Sequence, residues 1–157
     1  MKRGLWTGSY FGLVRTQNFL GHFLLLIVRL YWGALLVMTG VGKWVHLDQV
    51  SEFFGSIGIP APLFMATLVG LVELVGGAAL FLGLFSRVMS LLLASLFFSA
   101  YATAHTEALM TFFVSPQQFF DATPFLYLYA TLLVFCFGPG FISFDYWLER
   151  SVYGSNI

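Results

Sequence analysis

Charged residues are scarce in this chain of 157 residues: lysine, arginine, aspartate and glutamate together make up only 9%. A soluble domain carries roughly a quarter, so the composition excludes an ordinary soluble globular protein. The seven cationic and seven anionic side chains cancel, which predicts no nucleic-acid partner. With 59% apolar residues and a mean hydropathy of +0.88, the chain is expected to be an integral membrane protein in contact with the lipid bilayer.

Cysteine is almost absent as well. The single Cys136 excludes an internal disulfide, a CxxC redox pair and a thiolate metal cluster made by this chain alone. Its apolar neighbours predict a buried, unreactive thiol. The sequence also lacks a glycine-rich phosphate loop and the HExxH, CxxCH and nucleophile-elbow motifs. We therefore expect no metal site and no cofactor motif in the chain itself, and motifs assign no catalytic residue.

Long apolar runs are what the chain has in abundance. Four of them, at about 23–45, 62–84, 88–108 and 119–137, are predicted membrane helices, because roughly 20 residues at ~1.5 Å per residue cross a ~30 Å hydrocarbon layer. The stretches 46–62 and 141–150 are typical of short helices that lie on the membrane surface. The first 22 residues are too polar and aromatic for a signal peptide and are expected to lie at the surface too.

The predicted fold class is therefore all-α, an integral membrane four-helix bundle with short interfacial helices. It divides into an N-terminal interfacial segment (1–22), a four-helix transmembrane domain (23–137) and a C-terminal interfacial tail (138–157). Charges predict the orientation, because cytoplasmic loops are enriched in lysine and arginine. One side of the membrane would carry Lys2, Arg3, Arg15, Arg87 and Arg150. The other side would carry Asp48, Glu52, Glu107 and Asp121, so both termini are expected in the cytoplasm.

One acidic side chain, Glu73, lies near the middle of the second apolar run. A charge at that depth is costly unless it is paired, protonated or in a wet cavity. Steps of three or four residues place two cations, two glycines and a leucine on one face of the first helix, which should face the bundle interior: Arg29, Gly33, Leu36, Gly40 and Lys43. The estimated depths make Arg29 the first candidate partner of Glu73.

Two interpretations fit these charges. In the functional one, a polar cavity binds a quinone headgroup or another amphipathic ligand that arrives through the lipid, and it is lined by Arg29, Lys43, Glu73, Tyr101 and His105. Glu73 and His105 are the candidates for proton transfer. In the structural one, Arg29 and Glu73 form a bridge that fixes helix register, and Lys43 only extends to the membrane surface. A second polar cluster is expected at the outer boundary, formed by Lys43, His105, Glu107 and Asp121.

The same stretches resemble a known family. The matching pieces are Arg29–Gly33 and Gly40–Lys43 on the first helix, FFGSIGIPAP before the second, VELVGGAALFLGLFSR at 72–87, the alanine-rich third helix up to His105, and the closing GPGFISFD. From Val28 to Leu148, the chain is similar to the DoxX family of small four-helix membrane proteins. A glutamate followed by paired glycines and a Gly-Leu-x-x-Arg hairpin is the most specific part of this resemblance.

The resemblance implies a multi-pass protein of the bacterial or archaeal cytoplasmic membrane, in a family often labelled as oxidoreductases. Its name-giving members are linked with quinone-coupled sulfur oxidation and a terminal quinol oxidase, and other relatives associate with redox-stress partners. We therefore expect a membrane subunit of a quinone-linked oxidoreductase or respiratory complex. Its partners would be other membrane subunits or a second copy. Any enzymatic activity would require a bound quinone or a partner, because no group in the chain moves electrons alone.

Two other hypotheses compete with this one. A non-catalytic structural or assembly subunit of a larger membrane complex is favoured by the missing redox motifs and the phenylalanine-rich composition. Transport of a small solute or a proton is the third hypothesis, because a mid-membrane acid is typical of such pathways. Four helices without an inverted repeat argue against a monomeric transporter.

Overall fold

A computed structural model describes residues 3–152 of the chain, with the surroundings of side chains given for residues 12–151. Every regular element in this range is a helix, which confirms the all-helical prediction. The helices are α1 (Arg3–Val45), α2 (Leu47–Ser56), α3 (Pro62–Leu82), α4 (Ser86–Ala104), α5 (Thr106–Met110), α6 (Pro116–Asp121), α7 (Pro124–Phe137) and α8 (Phe144–Val152). The predicted surface helices correspond to α2 and α8. Lys2 and the last five residues of the predicted C-terminal tail lie outside the described residues.

Three helices are long and apolar enough to cross a membrane: α1 over Gly12–Val45, α3 and α4. The fourth predicted helix, 119–137, is divided in the structure into α6 and α7. The division falls before Pro124, where Ala122 has an extended backbone (φ −67°, ψ 131°). Pro124 lacks an N–H group and so cannot continue the hydrogen bonds of α6, but it fits the first turn of a new helix, which explains the break. The 14 residues of α7 span only about 21 Å.

The first helix is longer than predicted. It runs without interruption through residue 22, where a boundary between a surface segment and a membrane helix was expected, and contains 43 residues. At ~1.5 Å per residue it measures roughly 64 Å, about twice the thickness of a hydrocarbon layer. The reason is local, because the first proline of the chain is Pro60 and nothing before it removes a backbone hydrogen bond.

Close contact between α1 and α3 depends on glycines. A Cβ on Gly33 would lie 2.8 Å from the backbone nitrogen of Phe81, and one on Gly40 would lie 2.7 Å from that of Leu74. A Cβ on Gly77 would lie 2.6 Å from the Cβ of Leu36. Small residues let two helix backbones approach in this way. The predicted inward face of α1 is confirmed by burial: Arg29, Gly33, Leu36 and Gly40 are buried and Lys43 is half-buried.

Four helices meet around one apolar layer. Helix α3 packs against α1 and α4, α4 packs mainly against α7, and α7 also contacts α1. The buried residues between them are Leu36, Leu80, Leu93, Phe97 and Val134. On one side of this layer lie the ends of α3 and α7 and the starts of α4 and α8, which we call the Arg29 end. On the other side lie the end of α1, the start of α3 and the end of α4, which we call the Lys43 end.

The outer surface of the described helices is also apolar, as lipid contact requires. Large hydrophobic side chains are more than half exposed on the outer faces of α1, α3 and α4, among them Met38, Phe64 and Phe98. Cys136, predicted to be buried, is exposed on α7. In a membrane helix both the buried and the lipid-facing sides are apolar, so an apolar sequence context does not distinguish them.

Candidate functional site

The carboxylate of Glu73 forms an ion pair with Lys43. The Lys43 Nζ lies 2.5 Å from Glu73 Oε2, and the two side chains are 25% and 6% exposed. Glu73 lies eleven residues after the start of α3 at Pro62, which is roughly 17 Å along the helix. Gly70 and Gly76 are buried on the same helix. A Cβ on Gly70 would lie 2.6 Å from the Cδ1 of Trp44, so this glycine makes room for the tryptophan ring that follows Lys43.

The predicted Arg29–Glu73 pair is therefore wrong, and so is the prediction that Lys43 only extends to the surface. The antiparallel register of α1 and α3 explains both errors. Because Gly33 lies against Phe81, Arg29, one turn earlier, faces the end of α3 rather than its middle. Side chains of a helix lean towards its N-terminus, so the lysine near the end of α1 extends back along the helix and reaches Glu73.

Arg29 instead binds main-chain carbonyl groups at the Arg29 end. Although the residue is 1% exposed, the guanidinium donates to the oxygens of Leu80 at 3.1 Å, Phe81 at 3.4 Å and Ile142 at 3.0 Å, and also to that of Pro139. The first two carbonyls end α3 and the others follow α7. Carbonyls at the end of a helix lack intrahelical partners and carry partial negative charge. Arg29 thus acts as a capping group that joins two chain segments.

A carboxylate complements this cluster from α8. Asp145 accepts hydrogen bonds from the backbone nitrogens of Phe85 and Ser86, both at 2.7 Å, and so caps the start of α4. It also lies within Coulombic range of Arg29. The backbone nitrogen of Asp145 donates to the Gly83 oxygen at 2.9 Å. The charge of Arg29 is therefore balanced by a group from the closing segment of the chain, not by Glu73.

Aromatic side chains of α1, α4 and α7 pack together around Tyr127. Tyr127 on α7 lies within Coulombic range of Glu73. Its ring stacks on that of Phe97 at 5.1 Å and meets the edge of Trp32 at 5.2 Å. Tyr127 was not among the predicted site residues. The signal that reveals its position is spacing, because 127, 131 and 134 share one helix face, and Thr131 and Val134 are both fully buried.

Tyr101 and His105 lie apart from the ion pair. Tyr101 is fully buried, its hydroxyl donates to the Phe119 oxygen at 2.8 Å, and its ring stacks on Phe119 at 4.6 Å. His105 joins α4 to α5 and lines an open cleft of about 450 Å³ with Glu107 and Gln118. Lys43 and Asp121 do not line this cleft, so the predicted second polar cluster is only partly assembled. The five predicted site residues occupy three places: the ion pair, the Arg29 end and the Tyr101–His105 region.

Metal ligation has no candidate site in the part of the chain that the structure describes, because no three of its histidine, cysteine, aspartate and glutamate side chains converge. Lys43, Glu73 and Tyr127 are the groups placed to hold an organic ligand. An ammonium has three donors and the ion pair occupies one of them. A quarter of the Lys43 side chain stays exposed.

The sequence model of the DoxX family matches residues 24–106, more than half of the chain. The chain belongs to the DoxX family. The matched region of this DoxX protein contains Arg29, Lys43 and Glu73, and it ends before α7 and the Gly-Pro-Gly turn, which the resemblance had included.

Two relatives have names that bear on function. The chain is 34% identical over 83 residues to "Putative oxidoreductase CatD" of Bacillus subtilis (strain 168), an alignment that covers 53% of this chain and 60% of the relative. It is 42% identical over 62 residues to "Uncharacterized membrane protein Rv3486" of Mycobacterium tuberculosis (strain ATCC 25618 / H37Rv), covering 39% of this chain and 38% of the relative. The aligned region thus spans less than two thirds of either relative. No solved structure gives a significant match.

Proposed function

We propose that this DoxX protein is the membrane subunit of a quinone-linked oxidoreductase, and that the Lys43–Glu73 pair and Tyr127 form the site for the quinone headgroup. The observation that carries the proposal is an ion pair at mid-depth of α3 whose lysine remains a quarter exposed. A buried charged pair is costly to maintain in lipid and is found where a polar ligand or a proton must be handled. The name of the relative CatD supports an oxidoreductase.

The groups around the pair suit an amphipathic aromatic ligand. The Lys43 ammonium and the Tyr127 hydroxyl donate hydrogen bonds to a carbonyl oxygen of the headgroup, and Glu73 beside them holds or releases a proton. The rings of Trp32 and Tyr127 offer aromatic faces at the contact between α1 and α7. The contact between α1 and α7 is less extensive than that between α1 and α3, so the proposed entry from lipid lies between α1 and α7.

Electrons must come from another subunit in this proposal. A quinone accepts two electrons and two protons on reduction, and the side chains of the site exchange protons only. We therefore place the redox centre in a partner protein and give this chain the roles of binding the headgroup, orienting it and exchanging its protons. In this proposal the quinone site lies in one subunit and the redox centre in another, within a respiratory or oxidoreductase complex of the cytoplasmic membrane.

Bound quinone tests the proposal directly. The full chain is purified in nanodiscs made from its native lipids, and quinone is extracted and quantified by mass spectrometry. Glu73→Gln and Lys43→Met are expected to lower the bound quinone at least about tenfold, because each removes a partner of a buried charge. Tyr127→Phe keeps the packing and should lower it less. The matched control Glu52→Gln changes an exposed carboxylate on α2 and should change nothing. Absence of quinone from the wild type, in extract and in titration with a short-chain quinone, refutes the site.

A four-crossing topology with both termini in the cytoplasm belongs to the same proposal. Helices α6 and α7 together complete the fourth crossing, and Arg87 and Arg150 lie at the Arg29 end while Glu52 and Glu107 lie at the Lys43 end. This distribution follows the positive-inside rule. In a Cys136→Ser background, an impermeant maleimide should label Ser56→Cys on intact cells and Ser151→Cys only after lysis. The reverse labelling pattern would show that the two ends of the bundle face the opposite sides of the membrane.

A non-catalytic assembly subunit is the second candidate, and the length of α1 favours it. His22 stacks on Phe141 at the Arg29 end, so the residues of α1 before it extend beyond the bundle. Leu13 and Phe19 there are 70% and 69% exposed, a surface that a partner helix could cover. Native mass measurement after gentle extraction distinguishes the candidates. A complex that survives Glu73→Gln and contains no quinone supports assembly alone.

A further inference from the structure

Two serine hydroxyls near the start of α4 are enclosed by protein without a hydrogen-bond partner. Ser86 and Ser90 are each 0% exposed, and the Oγ atoms of both find no partner among the described residues. Positions four apart lie on the same face of a helix, so the two hydroxyls are neighbours. A buried hydroxyl that bonds nothing is unfavourable, and native proteins rarely leave one so.

Other hydroxyls of the same helix form hydrogen bonds within the helix. Ser95, Ser99 and Thr103, which are exposed, each donate to the carbonyl four residues earlier, at 2.8, 2.9 and 2.9 Å. This bond to the preceding turn is the usual solution for serine and threonine in an apolar environment. Ser90 has the Ser86 carbonyl at the same spacing and does not use it. Its hydroxyl is therefore turned towards the bundle interior.

The surroundings of the two serines are polar on one side and apolar on the other. Ser86 and Ser90 continue the face of α4 that carries Leu93 and Phe97 into the apolar layer. Towards the Arg29 end they approach the capping carboxylate of Asp145, which binds the Ser86 nitrogen itself. A third buried atom without a described partner, the Nδ1 of His22, lies at the same end beside Gly140.

We propose that Ser86 and Ser90 form an internal water site between α4 and the Arg29 end of the bundle. Cβ atoms one turn apart are about 5–6 Å from each other, a separation that one water molecule bridges with two hydrogen bonds of about 2.8 Å. Buried waters make about three such bonds, mainly to groups that are otherwise unsatisfied. The serines supply two of them.

Charge favours water over an ion. Asp145 already lies within Coulombic range of Arg29 and binds the N–H groups that begin α4. The positive end of the helix is thus occupied by the protein's own carboxylate. A chloride would meet that carboxylate and a cation would meet the guanidinium, whereas a neutral molecule with two donors and two acceptors meets neither penalty.

Water-edited solid-state NMR tests the proposal on the full chain in deuterated lipid. Transfer of polarisation from water to amides should be early at Ser90 and absent at Ser95, the lipid-facing serine on the same helix. Ser90→Ala should abolish the transfer at the neighbouring amides, whereas Ser95→Ala should leave it intact. Absence of transfer at Ser90 in the wild type would overturn the proposal.

Thermal unfolding in detergent gives an independent measurement. Relative to Ser95→Ala, the variant Ser90→Ala should lower the midpoint by roughly 2–4 °C, since the water loses a partner. A midpoint equal to or above that of Ser95→Ala means that the hydroxyl is dry and overturns the water site. A wild-type midpoint that depends on chloride, and a Ser90→Ala midpoint that does not, assigns an anion instead and also overturns it.

Discussion

The two cations that α1 turns towards the bundle are stabilised in opposite ways. Arg29 donates to carbonyl oxygens of two chain segments, whereas Lys43 binds one carboxylate. The difference follows from their chemistry, because a guanidinium holds five donors in a rigid plane and an ammonium is a compact charge on a flexible stem. The rigid group suits the fixed carbonyls at a helix end, and the flexible one suits a single acid on a neighbouring helix.

The comparison indicates a structural role for Arg29 and, in the proposed function, a ligand-binding role for Lys43 on the same helix. The donors of Arg29 are used on the backbone and the residue is 1% exposed, so its role is to hold α3 and the segment after α7 together. Lys43 keeps free donors and a quarter of its side-chain surface, so it can meet a ligand. Four variants, from the largest expected effect to the smallest, test this division.

Arg29→Leu should be the most damaging. It leaves the carbonyls of Leu80 and Ile142, among others, unpaired inside the bundle, and we expect the free energy of unfolding to fall by roughly 3–5 kcal/mol. Denaturant titration in detergent micelles measures it. The control Arg87→Leu removes an exposed arginine next to the same end and should change the value by less than about 0.5 kcal/mol. Equal losses in the two variants would mean that the hydrogen bonds from Arg29 to the carbonyls do not contribute to the free energy of unfolding.

Lys43→Met should cost about 2–3 kcal/mol at neutral pH, because it leaves the Glu73 carboxylate buried without its partner. The double variant Lys43→Met/Glu73→Gln also removes the buried charge and should recover part of this loss. Denaturant titration in detergent micelles measures both variants. A double variant no more stable than Lys43→Met would show that the unpaired carboxylate is not the cause of the loss.

Gly33→Ala should weaken the α1–α3 contact that keeps both centres in register. Its Cβ would lie 2.8 Å from the Phe81 nitrogen and 3.0 Å from the Gly77 oxygen, and moving the backbones apart costs about 1–3 kcal/mol. Gly42→Ala on the same helix meets nothing within 4 Å and should instead stabilise by up to about 1 kcal/mol. Unfolding free energies of the two variants with the same sign would contradict the close-contact argument.

Asp145→Asn should have the smallest effect. The amide keeps one acceptor for the start of α4 and loses the charge that complements Arg29, so we expect a loss of about 0.5–2 kcal/mol. Hydrogen exchange at the Phe85 and Ser86 amides should accelerate, since Asp145 accepts from both. Asp121→Asn, at an exposed position, is the control. Unchanged exchange at both amides would show that the cap is dispensable.

Prediction from sequence was most successful for properties that repeat along a helix. The inward face of α1, from Arg29 to Lys43, follows from steps of three and four residues, and burial confirms it. The start of α3 at Pro62 was also predicted, from the apolar run 62–84, although the helix ends at Leu82 because Gly83 adopts a left-handed conformation. The break before Pro124 was missed, although the proline itself was the signal.

The partners of the buried charges were predicted less well. The estimated depths of Arg29 and Glu73, about 9 Å and about 16 Å from the cytoplasmic edge, left a gap that the arginine side chain could bridge. The estimate had no information on the antiparallel register that the glycine contacts impose. Tyr127 was not predicted as a site residue, since its spacing to Thr131 and Val134 gains meaning only once the buried face of α7 is known. Tyr101 was expected at a ligand site, but its hydroxyl donates to the Phe119 carbonyl, a bond across a chain reversal that periodicity does not predict.

The sequence by itself determined that the chain is helical and lipid-facing and that one face of α1 is turned towards the bundle interior, because composition and helical periodicity are local properties. Its motifs carried the resemblance to the DoxX family. Only the tertiary structure decided which cation meets the acid. That choice depends on how far two antiparallel helices slide past each other, and the slide is set by contacts between Gly33, Gly40 and Gly77 and their partners. Arg29 and Lys43 are roughly 21 Å apart along α1, so only a slide of about four turns would bring Arg29 to Glu73 in place of Lys43.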